Sequence, residues 1–160
     1  MKLMKLLPAI TAFFLLLGGQ ASYADNGYGK QKVVYHVNYD NPKKQAGALR
    51  NIQNHINAVG AENLDLRVVM HGNGLSLLLD PDSLSKLPKF KQANANEKMI
   101  VKIDGLKKQG VAFNVCANTV RGRKVDLEND LHDVSKADIV PSGVAELAHL
   151  QGQGFVYIKP

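Results

Sequence analysis

Along the chain, short runs of β-branched and aromatic residues alternate with longer segments whose apolar positions recur every three or four residues. "KVVYHVNY" (32–39) predicts a buried strand. In the segment that follows, Leu49, Ile52, Ile56 and Val59 share one face of a helix; Asn41 can cap it, Pro42 suits its first position and Gly60 ends it. "LDLRVVMHG" (64–72) predicts a second strand, and "EKMIVKIDGLKKQG" a helix with Met99, Ile100, Ile103 and Leu106 on one side and Gly110 as its stop. "VAFNV" (111–115) reads as a third strand, taken as the central one, with "CANT" as the turn after it. "DLENDLHDVS" (126–135) places Leu127, Leu131 and Val134 on one helical face. "ADIVP" (137–141) predicts a fourth strand, Ser142 can cap the helix "GVAELAHLQGQG", and "FVYIK" (155–159) predicts the last strand. Only residues 72–96, apolar and broken by two prolines, follow no regular pattern.

Strands of this length alternating with helices define an α/β class: one domain, a three-layer sandwich whose mainly parallel sheet of about five strands carries helices on both faces. Strand order is not set by such a pattern.

Residues 1–24 stand outside the alternation. Lys2 and Lys5 precede an apolar stretch from Leu6 to Leu17, and Ser22 and Ala24 are small residues at the positions a signal peptidase inspects. The expectation is a secretory signal peptide cleaved after about Ala24, a periplasmic location, a flexible lead at 25–31 and a folded domain at 32–160. The apolar stretch is too short for a stable membrane span. Without Lys2 and Lys5 the basic count falls from 20 to 18 against 14 acidic residues, so the formal charge falls from +6 to +4. The lysines and arginines are scattered, which points to a solvated surface and not to a nucleic-acid footprint; neither nucleic acid nor, after cleavage, a membrane is expected as a partner.

Ligands of parallel α/β sheets gather at the carboxyl ends of the strands. Those ends here are Asn38–Tyr39–Asp40, His71–Gly72–Asn73, Cys116–Ala117–Asn118 and Pro141–Ser142–Gly143. Cys116 is the chain's single cysteine, so it has no disulfide partner within the chain. It sits where an apolar run stops and Asn118, Thr119, Arg121 and Arg123 begin. Two readings stand side by side: a small buried hydrophobe, or a thiolate favoured by helix-terminal N–H groups and by arginines folded back on it. His71 precedes a flexible "GNG", and either a site role or a hydrogen-bonded structural role fits it. His36, in mid-strand, reads as a satisfied core or interface histidine. His55, His132 and His149 fall on predicted helices, and nothing in the spacing of His36, His71 and Cys116 demands a metal. No dinucleotide fingerprint or phosphate loop is present, so no cofactor is expected.

The stretches "GVAFNVCANT" and "VPSGVAELAHLQGQGFVYIKP", with "HVNYD", "ALRNIQNHI" and "VVMHGNGL", resemble the DsrE/DsrF-like proteins of sulfur oxidation and sulfur relay over about residues 32–160. The resemblance implies an α/β sandwich on a parallel sheet and a homo-oligomer, trimer or hexamer. It also implies that Cys116 carries sulfur as a persulfide, exchanged with a donor or acceptor protein. His71, Asn73, Asn118, Ser142 and Gly143 are expected beside it as binding residues. The function so implied is, if the protein is active, that of a sulfurtransferase-like sulfur carrier and not a turnover enzyme; that it is exported is expected from residues 1–24 and not from the resemblance. The alternative is a non-catalytic ligand-binding or assembly module in which Cys116 is structural and the leucines of 72–96 are covered by a neighbouring subunit.

Overall fold

The computed structural model describes residues 27–160; the predicted signal peptide lies outside them. Strand β1 spans Gln31–Val37, helix α1 Pro42–Val59, β2 Leu64–Met70, α2 Glu97–Lys108, β3 Ala112–Cys116, α3 Ala117–Arg123, β4 Ile139–Val140, α4 Gly143–Gly152 and β5 Val156–Ile158. The strands form one parallel sheet in the order β4-β3-β2-β1-β5. The chain steps from β1 out to β4 and then returns under α4 to the opposite edge. "VAFNV" is therefore an interior strand, but β2, not β3, is central.

Strand alternation sorts the two faces. Val33, Tyr35 and Val37 of β1, Leu66, Val68 and Met70 of β2, and Phe113 and Val115 of β3 pack into the larger core with Leu49, Ile52 and Ile56 of α1 and Met99, Ile103 and Leu106 of α2. Val34 and Val69 face the other way, against Leu147, Leu150 and Phe155 at α4. By the same alternation His36, His71 and Cys116 share the α4 face, around its N-terminal end.

The predicted caps form: Asn41 accepts from Lys44 N–H with Pro42 at the first helical position, Gly60 closes α1, and Ser142 accepts from Ala145 N–H. Two segments depart from expectation. Residues 126–135 are turns, not a helix. Asp126 accepts from the backbone of Glu128 and Asn129, and Asp130 accepts from Asp126 N–H, so side-chain turns replace the helical ladder. Leu131 instead makes an antiparallel bridge with Leu79, while Leu127 and Val134 still reach the core.

The leucines of 72–96 also need no neighbouring subunit. Leu75, Leu77, Leu78 and Leu79 are fully buried within their own domain, the first two on the 3-10 segment Gly72–Leu77 and the others on the turn between it and a second 3-10 segment, Pro81–Lys86. A buried polar cluster ties this segment down. Gln45 donates to Tyr39 C=O (2.7 Å) and Ser76 Oγ (2.9 Å), and Asn94 donates to Gln45 Oε1 (2.7 Å) and Asp40 C=O (2.9 Å). Gly74 is pressed so close to β1 that an added Cβ would lie 1.9 Å from Val37 O.

Candidate functional site

Three strand ends and one helix start converge on Cys116. It ends β3 and occupies the N-cap position of α3, with its side chain only 4% exposed at the base of a cleft of about 440 Å³. The pairing of Met70 with Val115 sets the next residues, His71 and Cys116, side by side on neighbouring strands. Gly143, the first residue of α4, lies across both: a Cβ there would meet His71 Cβ at 2.9 Å and Cys116 Cβ at 3.3 Å. Only glycine lets the helix start approach so closely.

That approach sets the chemistry of the thiol. Burial pushes the Cys116 pKa up, but hydrogen bonds from Gly143 N–H, from the Thr119 hydroxyl and N–H, and from Asn118 N–H outweigh it and hold the thiol below its ordinary range. The arginines are not the cause. Arg121 is held by Asn118 Oδ1, and Arg123 spans Asn73 Oδ1 (2.7 Å) and Lys89 C=O (3.0 Å) while its guanidinium stacks 4.3 Å over Phe90. Arg123 and Lys89 do line the cleft, and neither forms a salt bridge among the described residues. A thiol at the base of a cationic cleft can form a thiolate and receive an anionic reactant.

Most of the residues expected from sequence come together here. His71, Asn118 and Ser142 line the cleft with Cys116, and Gly143 touches the thiol. Asn73 stands one step back, anchoring Arg123. His55 is engaged with Tyr35 and Gln31, His132 with Asp104 and His149 with Gln153, all away from the cleft.

Sequence reasoning missed four contributors. Thr119 donates to the thiol and also accepts from Gly72 N–H at 2.8 Å, stitching α3 to the end of β2. Lys89 arrives from the irregular segment. His36, expected as a satisfied histidine, is buried and hydrogen-bonded, but its partners are His71 (Nε2 to Nε2, 2.8 Å) and the Tyr157 hydroxyl (2.7 Å). The parity of His36 with Val34 along β1 was the available signal; nothing in the sequence pairs β5 with β1. Among the described residues, no group of three or more His, Cys, Asp or Glu side chains is placed to hold a metal ion, and no helix is long and apolar enough to cross a membrane.

Fold and site together define a class: a single-domain α/β protein with a buried cysteine, its thiol lowered by neighbouring hydrogen-bond donors, at the carboxyl edge of a parallel sheet. Residues 31–160 match the DsrE/DsrF-like family, and the chain belongs to it, a family associated with sulfur relay. Its architecture is similar to that of the protein of unknown function MTH1491 from Methanobacterium thermoautotrophicum, with 26% identity and a TM-score of 0.62 over 82% of this chain and 100% of that one. No curated protein matches the chain.

Proposed function

We propose that this protein is a sulfur carrier in which Cys116 accepts sulfane sulfur as a persulfide and passes it on. The observation that carries the reading is the set of N–H and O–H donors from Gly143, Thr119 and Asn118 aimed at a thiol inside a cleft rimmed by Lys89 and Arg123. An inert packing cysteine needs no such donors.

The step conserves electrons. The Cys116 thiolate attacks the outer sulfur of a persulfide or polysulfide donor, the donor's S–S bond breaks as the new one forms, and the donor leaves as a thiolate that takes up a proton. Passing the sulfur on to an acceptor thiol is the same exchange in reverse. A single cysteine suffices, and it has no neighbour with which to close a disulfide within the chain.

The low exposure of Cys116, 4%, favours a second reading in which the thiol is structural and the cleft binds a small anion. Incubation with inorganic polysulfide followed by peptide mass analysis separates the two. The carrier gains one sulfur atom on the Cys116 peptide and Cys116→Ser gains none; an unchanged wild-type mass, or equal gain in both proteins, supports the structural reading.

The same proposal places the carrier outside the cytoplasm, on the strength of the signal-like pattern in residues 1–24, and has it work as a homo-oligomer, as the family resemblance implies. Fractionation of cells producing the full chain tests the first, and light scattering of the purified protein the second.

A further inference from the structure

His36 and Tyr157 take no part in the sulfur exchange just described, yet hydrogen bonds join them to its edge. Nδ1 of His36 lies 2.7 Å from the Tyr157 hydroxyl, and its Nε2 lies 2.8 Å from Nε2 of His71, the two imidazole planes inclined by 26° with their centroids 4.8 Å apart. His36 is 7% exposed, whereas Tyr157, on the edge strand β5, is 39% exposed. A continuous line of polar atoms therefore runs from the cleft, under the sheet face, to the edge of the sheet.

Two Nε2 atoms at 2.8 Å cannot both carry a proton and cannot both be bare: one donates and the other accepts. The chain then has two directions. In the first, His71 Nε2–H donates to His36, His36 Nδ1–H donates to the tyrosine oxygen, the tyrosine O–H faces water, and His71 Nδ1 is a bare lone pair. In the second every bond is reversed, and His71 carries its proton on Nδ1. Passing from the first to the second takes up one proton at His71 Nδ1 and releases one at Tyr157, with both rings neutral at either end.

Neutral rings are the state the surroundings favour. Burial, His71 and Lys159 lower His36 to about 4, and burial and Lys159 lower His71. The titratable and charged groups around the pair are Tyr157 and Lys159 from the β5 end, Cys116 from β3, and Lys89 and Arg123 lining the cleft; the start of α4 presents Ser142 and Gly143.

We propose that the His71–His36–Tyr157 chain is a proton outlet for the Cys116 site, working while a donor or acceptor covers the cleft. This rests on the carrier reading. The Cys116 S–H bond breaks, its proton reaches His71 Nδ1 through water in the cleft that both residues line, the electron pair stays on sulfur for the attack, and one proton leaves to water at Tyr157. His71 is the base; His36 and Tyr157 are positioning residues that decide which of its nitrogens is bare.

Single-turnover sulfur transfer from glutathione persulfide, measured beside iodoacetamide alkylation of Cys116, tests the chain in Tyr157→Phe and His36→Gln. Transfer is expected to fall at least about tenfold in both variants, short of the full contribution of a general base because His71 remains. Alkylation, which reads the thiolate held by Gly143, Thr119 and Asn118, is expected to stay within about twofold of wild type. Unchanged transfer in both variants, or alkylation falling in step with it, overturns the outlet. If wild type accepts no sulfane sulfur, the carrier reading fails, and ring-nitrogen NMR decides the chain alone. A shift of the His36 and His71 ring nitrogens on Tyr157→Phe supports it; two histidines indifferent to that change overturn it.

Discussion

Gly143 and Cys116 are in contact across the junction of α4 with β3, the glycine N–H donating to the sulfur and leaving room for no Cβ. One residue thus supplies both the space and one of the donors that lower the thiol. Gly143→Ala is expected to push the start of α4 away from β3, cost about 1–3 kcal/mol through overpacking, and raise the midpoint of Cys116 alkylation toward that of an ordinary thiol. Thermal unfolding and pH-dependent alkylation check the two effects separately.

Thr119 makes a complementary case. Its hydroxyl donates to the thiol and accepts from Gly72 N–H, so Thr119→Val removes a donor from sulfur and orphans a backbone N–H. The expected result is a stability loss of about 1–3 kcal/mol, read by urea unfolding, and a less acidic thiol, read by the same alkylation titration.

His36 ties stability to pH. Its folded pKa of about 4 lies below the unfolded value of 6.5, so between those values the unfolded chain binds more protons. Stability is therefore fully present above pH 6.5 and declines as pH falls toward 4. His71 and His55, lowered mainly by burial, act in the same direction. Urea midpoints measured across this range should fall toward acid, and His36→Gln should flatten the slope.

The loop of residues 72–96 depends on the close approach of Gly74 to Val37. Gly74→Ala sets a methyl against a backbone carbonyl, not against a movable side chain, and is expected to cost at least about 3 kcal/mol, at or beyond the upper end of ordinary overpacking. Yield of folded protein and the urea midpoint check this.

Much of this arrangement was legible in the sequence. Alternating periods identified the five strands and helices α1, α2 and α4, and reading off strand ends gathered His71, Cys116, Asn118, Ser142 and Gly143 on one edge. Helix α3 was not legible, because "ANTVRGR" is weak in intrinsic helix formers. It is completed from outside, by the Gly72–Thr119 bond and by Lys124 in the left-handed conformation at its end. At 126–135 the apolar spacing was right and the backbone was not, since the aspartates compete for the N–H groups a helix would use. Tyr157 was out of reach because strand order decides its neighbours, and Lys89 because its loop follows no period. The arginines near Cys116 are not what lowers its thiol: N–H and O–H donors do so, with Arg121 and Arg123 engaged elsewhere.

The central claim is that Cys116 is an activated thiol and not a buried hydrophobe. Native-state alkylation by iodoacetamide as a function of pH tests it most directly. The account predicts single-site reaction at Cys116 with a midpoint below the ordinary thiol value of about 8.5. A thiol that reacts only after unfolding, or whose midpoint lies at or above that value, would contradict it.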